Sequence, residues 1–213
     1  MRTVIFSSAF LVLIGCQSHQ DTPLTRAAAT GTPAEVARTL TSASPDELQT
    51  ALVAASRAGN VDAIPLLIKA GADVARPWGV NGWTPLEHAV HKRQTGSINA
   101  LLDAGARVDQ RDEHQRTALR WAAGNGFTDI VQLLMERGAD PHIADEDDVN
   151  ALDAAIYGLP DIDNFTAGTC QTDTVRAILA KAPDLAASGK RWNHFATNVK
   201  RCSEIAQLIA VKH

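Results

Sequence analysis

The sequence has no excess of positive charge. Its 20 lysine and arginine residues face 24 aspartate and glutamate residues, which gives a net charge of −4 at pH 7. Proteins that bind nucleic acids, or that adhere to anionic lipids through surface charge, present a cationic face to them. The composition therefore argues against nucleic-acid binding and against electrostatic adhesion to a membrane.

No apolar run in the sequence is long enough to cross a membrane as a helix. Twelve residues, Thr3 to Ile14, form an apolar run after Arg2, whereas a transmembrane helix needs about 20. A short apolar run behind a positive charge is typical of a secretory signal peptide. The run ends in Leu13-Ile14-Gly15-Cys16, which resembles the lipobox of bacterial lipoproteins.

The lipobox resemblance implies that residues 1–15 are a lipoprotein signal peptide and that Cys16 carries the lipid after cleavage. Several acyl chains on one residue give stable anchoring, whereas a single chain binds a membrane only marginally. Residues 16–21 would then be a short tether on the periplasmic side of a bacterial envelope. Gln17, rather than an aspartate, follows the cysteine and implies the outer membrane under the enterobacterial sorting rule. The alternative is an ordinary signal peptide with a chance cysteine.

The rest of the sequence is organised by a repeat of two short helices. Between Arg116 and Asp140, apolar residues predict two helices separated by Gly124-Asn125-Gly126, the second of which ends at Gly138. The same layout recurs at intervals of 34, 33 and 33 residues, as counted between Leu52, Leu86, Leu119 and Leu152. A helix pair of this size cannot bury its apolar faces alone, so neighbouring copies must stack on it.

This repeat resembles the ankyrin repeat. The matching segments are Thr84-Pro85-Leu86, Trp121-Ala122-Ala123, Gly71-Ala72-Asp73 and Gly138-Ala139-Asp140, at the TPL, AA and GAD positions of that family. The resemblance implies an all-α solenoid of about six helix-turn-helix repeats with short β-hairpin fingers. It covers nearly everything from Thr22 to the end of the sequence.

No proline-, glycine- or serine-rich linker divides the repeats, so the sequence predicts one ankyrin-repeat domain over residues 22–213. Its repeats are expected at about 22–44, 45–77, 78–111, 112–144 and 145–188, with a degenerate cap at 189–213. The first repeat lacks the GAD hairpin, as expected for a terminal repeat with one face in water. The fifth repeat has 11 extra residues within 158–170, whose glycine and proline content predicts an ordered surface loop.

Two of the three cysteines remain once Cys16 is taken by lipid. Cys170 and Cys202 correspond in repeat phase to Gly126 and Phe127, so both are expected at the turn before a second helix, in adjacent repeats. Because the periplasm favours disulfides, the sequence predicts a Cys170–Cys202 bond. Two unrelated thiols are the alternative.

Motifs for catalysis are missing. The sequence has neither a G-x-S-x-G elbow nor a Walker loop. The competing interpretation is a hydrolase or a metal-dependent activity built on the 158–170 insert. Its candidate residues, Asp161, Asp163 and His194, do not supply a nucleophile, a base and an orienting group together. We therefore predict no catalytic residues and no cofactor.

Metal binding is poorly supported as well. His88 and His91 have a helical i, i+3 spacing, but a zinc site needs three or four ligands. His88 also occupies the repeat position of Trp121, which is expected to face the neighbouring repeat, so packing explains it better. The run Asp145 to Asp148 does not fit a calcium loop and is interpreted as a solvated loop tip. We predict no metal site.

Candidate partner-binding residues follow from the resemblance. In ankyrin folds, positions just before the TPL-type motif or just after the AA pair point into the concave groove where partners bind. The residues at these positions are Trp83, His91, Glu113, His114, Arg116, Asn125, Asp147, Val149 and Tyr157. Trp78 joins them, since an indole at an exposed turn has little structural reason to be there. Covering the first helices is the alternative role for several of these residues.

Aromatic and arginine side chains are favoured at binding hot spots, so Trp83, Arg116 and Tyr157 rank highest. Replacing Trp83 and Arg116 by alanine is expected to weaken partner binding and barely change the melting temperature. Replacing Trp121 is expected to cost stability.

The predicted function is non-enzymatic protein binding through the concave groove, by a lipid-anchored monomer on the periplasmic side of the envelope. Ankyrin lipoproteins resemble accessory proteins that guard or neutralise a dangerous enzyme. That resemblance implies an immunity-like role or a role as companion of a stress enzyme. A structural cell-wall tether is a third class, and no sequence feature favours it.

Overall fold

The computed structural model describes residues 22–79, 82–158, 171–187 and 203–210 of the 213-residue chain. These residues form eleven α-helices: α1 Pro23–Thr30, α2 Pro33–Thr39, α3 Pro45–Ala58, α4 Ala63–Lys69, α5 Pro85–His91, α6 Thr95–Asp103, α7 Ala118–Gly124, α8 Thr128–Glu136, α9 Ala151–Tyr157, α10 Thr172–Lys181 and α11 Ser203–Ala210. A 3₁₀ turn, Leu40–Ser42, separates α2 from α3. No helix within these ranges has the length and apolar character that a membrane crossing requires.

The helices pack in two layers. The first helices of successive repeats, α1, α3, α5, α7 and α9, each pack against the next one. In the second layer α2 packs on α4, α4 on α6, α8 on α10 and α10 on α11. Arg137 joins α8 to α6 through Asn99 Oδ1, at 2.7 Å, and through Asp103. The predicted all-α solenoid of helix pairs is confirmed.

The repeat-phase leucines lie in the core. Leu52, Leu86, Leu119 and Leu152 are each at most 1% exposed. Alanines of the first helices, such as Ala55, Ala89 and Ala122, are fully buried between neighbouring repeats. Small side chains there let the first helices approach one another, while leucines and isoleucines fill the space between the two layers.

Each first helix begins at a polar side chain that caps it. Thr22, Ser44, Thr84, Thr117 and Asn150 each accept a hydrogen bond from the backbone N–H three residues on. Such a cap pairs one of the N–H groups that a helix start leaves without a partner. Helix α3 begins at Ser44, although Thr50 is the residue equivalent to Thr84. A capping box of Ser44 and Glu47 starts it early, so α3 has 14 residues where α5 has 7.

Short fingers connect the repeats. The third finger, which connects the second repeat to the third, is closed by a β-bridge between Trp78 and Trp83. In the fourth finger, which connects the third repeat to the fourth, a second bridge joins Arg111 to Thr117. Gly82, Gln115 and Asp148 stand at the same place in three successive fingers, and each has a φ of 59°. This left-handed conformation is disfavoured for residues other than glycine, so the contacts around each finger must hold it in place.

Several predictions concern residues outside the described ranges. They are the signal peptide and the lipidated Cys16, the tether at 16–21, the Cys170–Cys202 bond, nearly all of the 158–170 insert with Asp161 and Asp163, and His194 with most of the 189–213 cap.

Candidate binding face

Two of the fingers are each built around a buried aspartate. In the fourth finger, residues 112–116, Asp112 Oδ1 accepts the N–H groups of His114 and Arg116, both at 2.9 Å. In the fifth finger, residues 145–149, Asp145 Oδ1 accepts those of Asp147 and Val149 at 2.9 and 3.0 Å. Each finger thus pairs most of its backbone N–H groups internally.

Each of these aspartates also binds an arginine. Arg116 Nη2 lies 2.7 Å from Asp112 Oδ2, and Arg120 Nη2 lies 2.6 Å from Asp145 Oδ2. Since Arg120 belongs to α7, the second pair fastens the fourth repeat to the fifth. Burial lowers the pKa of Arg120, and the nearby Asp145 carboxylate opposes that effect. The interpretation of Asp145 as a solvated loop residue is wrong, because Asp145 is only 8% exposed and is paired inward.

The third finger, residues 78–83, is held from outside. Trp78 Nε1 donates to Thr50 Oγ1 of α3 at 3.1 Å, and the Arg76 guanidinium lies 4.5 Å from the indole centre. The buried Gln49 amide donates to the carbonyls of Asp73 and Arg76 at 3.0 and 3.2 Å and accepts the Asp73 N–H at 3.0 Å. Trp78 is half-buried, so the expectation that it has little structural reason to be there is wrong. Its contact with a partner stays a prediction.

Trp83 lies inside an aromatic cluster. Its ring centre is 4.7 Å from that of Trp121 and 5.0 Å from that of His91, and the Arg116 guanidinium lies 4.8 Å from the Trp121 ring centre. Trp83 is 7% exposed and Trp121 is 9% exposed. The placement of Trp83 on an open face is corrected, because it is as buried as Trp121, so its removal is expected to cost stability. Partner binding through Trp83 stays a prediction.

His88 packs beneath this cluster, as predicted. Its Nε2 lies 3.3 Å from the Trp78 carbonyl oxygen, and its ring centre is 5.4 Å from that of Trp83. Burial, together with the nearby charges of Arg57, His91 and Lys92, lowers the pKa of His88 to about 4, against the effect of the Trp78 backbone hydrogen bond. Within the described ranges, no three His, Cys, Asp or Glu side chains are arranged to hold a metal ion.

Glu87 is a buried carboxyl group that the sequence did not single out. Its Oε2 accepts the Thr84 N–H at 2.8 Å and the Thr84 hydroxyl at 2.9 Å. In the described part of the chain its Oε1 has no hydrogen-bond partner. Burial raises the pKa of Glu87 to about 8, against the effect of the Thr84 backbone bond. The group is therefore mainly protonated at neutral pH.

The remaining candidate residues divide between the face and the interior. Glu113, His114 and Asp147 are exposed, and His91, Arg116 and Tyr157 are half-buried. Asn125 and Val149 are buried, and Asn125 Nδ2 donates to the Trp121 carbonyl at 2.9 Å. The expectation that these two side chains point into the groove is corrected: Asn125 closes the end of α7, and Val149 lies in the core at the base of the fifth finger.

The exposed candidate residues form a continuous row along the finger tips. The Glu113 side chain lies against Gly82, where an added Cβ would be 2.4 Å from its carboxyl carbon. His114 Nδ1 lies 3.0 Å from Glu146 Oε1 of the next finger. Three successive fingers are thus in contact through their tips.

Sequence reasoning missed the buried charges at the base of this row. Asp112 and Asp145 stand 33 residues apart, each followed four residues later by the end of its finger. That spacing was a usable signal. The arginine partner comes from a different position in each repeat, so no periodic pattern reveals it.

Comparison with known proteins supports the repeat architecture. A family model described as ankyrin repeats matches the chain three times, over residues 7–112, 75–145 and 98–165. Ankyrin repeat and SOCS box protein 2 of Bos taurus is 36% identical over 86 residues, which is 40% of this chain and 13% of that protein.

Two further relatives have similar sequence identities to this chain. The Nuclear factor NF-kappa-B p105 subunit of Gallus gallus is 32% identical over 117 residues, 54% of this chain and 12% of that protein. The E3 ubiquitin-protein ligase hecd-1 of Caenorhabditis elegans is 30% identical over 188 residues, 86% of this chain and 6% of that protein. The chain therefore spans only a small part of the length of each of these relatives.

Proposed function

The chain belongs to the ankyrin-repeat family, and on that premise we propose that it is a non-enzymatic protein-binding module that works as a monomer. The observation that carries the proposal is the continuous face of fingers and first helices. The finger tips touch one another from Gly82 to Glu146, and Trp83 and Trp121 pack together beneath them. A surface held in place before binding loses little conformational entropy when a partner docks.

The relatives match this chain over part of its length and carry names of different kinds. One is named as a SOCS box protein, one as a subunit of NF-kappa-B and one as a ubiquitin ligase. We therefore carry over only the protein binding that the family shares, and no ligase activity.

Photo-crosslinking tests the binding face. A benzophenone amino acid in place of Tyr157 or His91, which are half-buried on α9 and α5, is expected to give a discrete crosslinked protein in cells. The same probe in place of Asp62 or Glu136, which are exposed on the second layer, serves as the matched control. Equal crosslinking from both sets, or none from the first set, would contradict the proposal.

We further propose that this binding takes place at the periplasmic surface of a bacterial membrane, the outer membrane in preference to the inner one, from a lipid on Cys16. The support is the sequence Leu13-Ile14-Gly15-Cys16 after a short apolar run. In that setting the partner would be an enzyme that the protein restrains or assists, in an immunity-like or stress-accessory role.

The anchor is tested by fatty-acid labelling and fractionation. Cys16→Ser is expected to abolish the label and to move the protein to the soluble periplasmic fraction or leave an uncleaved precursor. A wild-type protein that takes up no fatty acid and fractionates as soluble would overturn the anchor while leaving the binding face untouched.

A further inference from the structure

Three buried polar atoms around the Trp83–Trp121 pair have no hydrogen-bond partner within the described residues. They are Trp83 Nε1, Trp121 Nε1 and Glu87 Oε1. Glu87 lies at the same place, because its other oxygen accepts the N–H of Thr84, the residue next to Trp83, at 2.8 Å. In the described ranges six buried polar side-chain atoms lack a partner, so half of them lie at one site of the binding face. Since buried polar groups are almost always paired, this concentration of exceptions indicates a common cause.

All three atoms are hydrogen-bond donors. An indole Nε1 can donate and cannot accept. Glu87 Oε2 accepts two hydrogen bonds from Thr84, so the proton of the neutral carboxyl group lies on Oε1. The two indole rings meet edge to face at an interplanar angle of 66°, so at most one N–H can point at the other ring, and a ring face is a weak acceptor. The site therefore offers donors and lacks acceptors for them.

The Arg116 side chain covers part of this site. Its guanidinium lies 4.8 Å from the Trp121 ring centre, and the side chain is 20% exposed. Side chains at an interface commonly rotate when a partner docks, whereas the backbone moves little. Rotation of Arg116 off the ring would open the indole pair and leave the fourth finger folded, because Asp112 Oδ1 holds that finger through backbone N–H groups.

The charges at the site favour a neutral acceptor over a carboxylate. The guanidinium of Arg116 is already matched by the buried Asp112, whose Oδ2 accepts its Nε–H at 2.7 Å. Glu113 is exposed on the same finger, and its side chain lies against Gly82. A carboxylate that entered beside Arg116 would approach both of these acidic side chains, and like charges brought together oppose binding.

We propose that the Trp83–Trp121 pair is the docking site for a proline-rich segment of a partner protein, whose carbonyl oxygens accept the indole N–H groups and the Glu87 proton. Proline has no N–H, so a site that supplies only donors leaves no group of such a segment buried without a partner. Proline-rich segments are also extended before they bind, and aromatic-lined grooves recognise them. The inference rests on the proposed protein-binding function and adds the chemical class of the partner segment.

An isostere of tryptophan tests the unpaired donors. Benzothienylalanine keeps the shape of the indole and carries sulfur in place of N–H. Trp83→benzothienylalanine and Trp121→benzothienylalanine are each expected to melt no lower than the wild type, because neither loses a hydrogen bond. Trp78→benzothienylalanine is the matched control and should melt at a lower temperature, since Trp78 Nε1 donates to Thr50 Oγ1 at 3.1 Å. Lower melting temperatures for the variants at 83 and 121 would show that their N–H groups are already paired, for example with water, and would overturn the proposal.

Acetylated and amidated decaproline is the probe for binding. When it is titrated into the ¹⁵N-labelled full chain, the Nε1–H signals of Trp83 and Trp121 are expected to move downfield, and that of Trp78 should stay in place. Either benzothienylalanine variant of the pair should bind decaproline about tenfold more weakly than the wild type. A glycine-serine decamer, which is flexible and carries N–H groups, should also bind about tenfold more weakly than decaproline. Unmoved signals of Trp83 and Trp121, or equal affinity for the two decamers, would overturn the proposal.

Two further outcomes separate this inference from the proposed function. A deca-glutamate peptide that moves the same signals with the affinity of decaproline would show a carboxylate site and overturn the proline-rich segment. If decaproline fails to bind while crosslinking through Tyr157 persists, the proline-rich partner is wrong and the protein-binding function stands. If both fail, the binding face itself is wrong.

Discussion

The third and fifth fingers reach the same turn by different means. In each, a backbone N–H closes the finger onto a carbonyl, Trp78 onto Trp83 at 2.8 Å and Asp145 onto Val149 at 3.1 Å. Asp145 then pairs two more N–H groups of its own finger, whereas the indole of Trp78 offers no acceptor. The third finger depends instead on Gln49 and Thr50 of α3.

This difference decides what each finger is coupled to. The fifth finger is self-contained and is tied to its neighbour through the buried pair of Asp145 and Arg120. The stability of the third finger depends on its contacts with α3, the first helix of the preceding repeat. Damage to the interior charges should therefore act on the whole solenoid, and damage to α3 side chains should act first on one finger.

The largest effect is expected from Asp145→Ala. The change leaves Arg120 buried without its partner, which costs about 3–5 kcal/mol, and removes the acceptor of two backbone N–H groups. Urea denaturation should place this variant at the upper end of that range. Glu146→Ala, which breaks only the exposed pair with His114, should cost less than about 1 kcal/mol. Adding Arg120→Met to Asp145→Ala should recover part of the loss, and a further decrease would contradict the account of a stranded charge.

The next largest effect is expected from Trp83→Ala. Because the change leaves a cavity, it should lower the free energy of unfolding by about 3 kcal/mol. Trp121→Ala should cost a similar amount, because the two rings are buried to the same degree and contact each other. The double variant should lose less than the sum, since each single change already removes their contact. Thermal unfolding of the three variants measures this. A stable Trp83→Ala protein would mean that the third finger does not rest on this ring.

The next effect is a pH dependence that comes from Glu87, directly after the third finger. Its pKa of about 8 in the folded protein lies above the ordinary value of 4.5, so folding favours the protonated form. The stabilisation is fully present below pH 4.5 and is lost as the pH rises towards and through 8. Groups facing it are Thr84, Asp112 and Arg116. Glu87→Gln should flatten the decline between pH 5 and 9 in denaturation curves, and an unchanged slope would exclude Glu87 as its source.

The repeat architecture could be derived from the sequence because its signals are periodic. Leucines at a spacing of 33 or 34 residues fix the register, and Gly71 and Gly138 mark where second helices end. The extra length of α3 does not follow from the repeat phase, because Ser44 and Glu47 form a local capping box that lies outside it.

The candidate face was derived less completely, for a physical reason. The position of a residue within the repeat indicates where its side chain leaves the backbone, but not whether a neighbouring side chain covers it. Trp83 and Trp121 occupy different phases and end in one cluster. Asp145 looked like part of a solvated acidic run, because its partner, Arg120, lies 25 residues earlier on another element.

A smaller effect, and the sharpest test of the comparison between fingers, is expected from Gln49→Ala. Three hydrogen bonds from this buried amide to the loop before the third finger are lost, at a cost of about 1–2 kcal/mol. Hydrogen exchange should show the loss locally. The amides of Asp73 and Trp78 should exchange faster, because they belong to the loop and finger that Gln49 supports, while those of His114 and Val149 should keep their protection.

Thr50→Val is the matched control for that experiment. It removes the acceptor of Trp78 Nε1 and the bond from Thr50 Oγ1 to the Asp46 carbonyl at 2.8 Å, and it leaves the Gln49 contacts in place. It should therefore cost about 0.5–1 kcal/mol and accelerate exchange at Trp78 but not at Asp73. If the fifth finger loosens as much as the third in either variant, the fingers are one cooperative unit that is coupled through the contacts between their tips. Protection retained at His114 and Val149, with exchange accelerated at Trp78, would mean that the attachment to α3 stabilises the third finger separately from the fourth and fifth fingers.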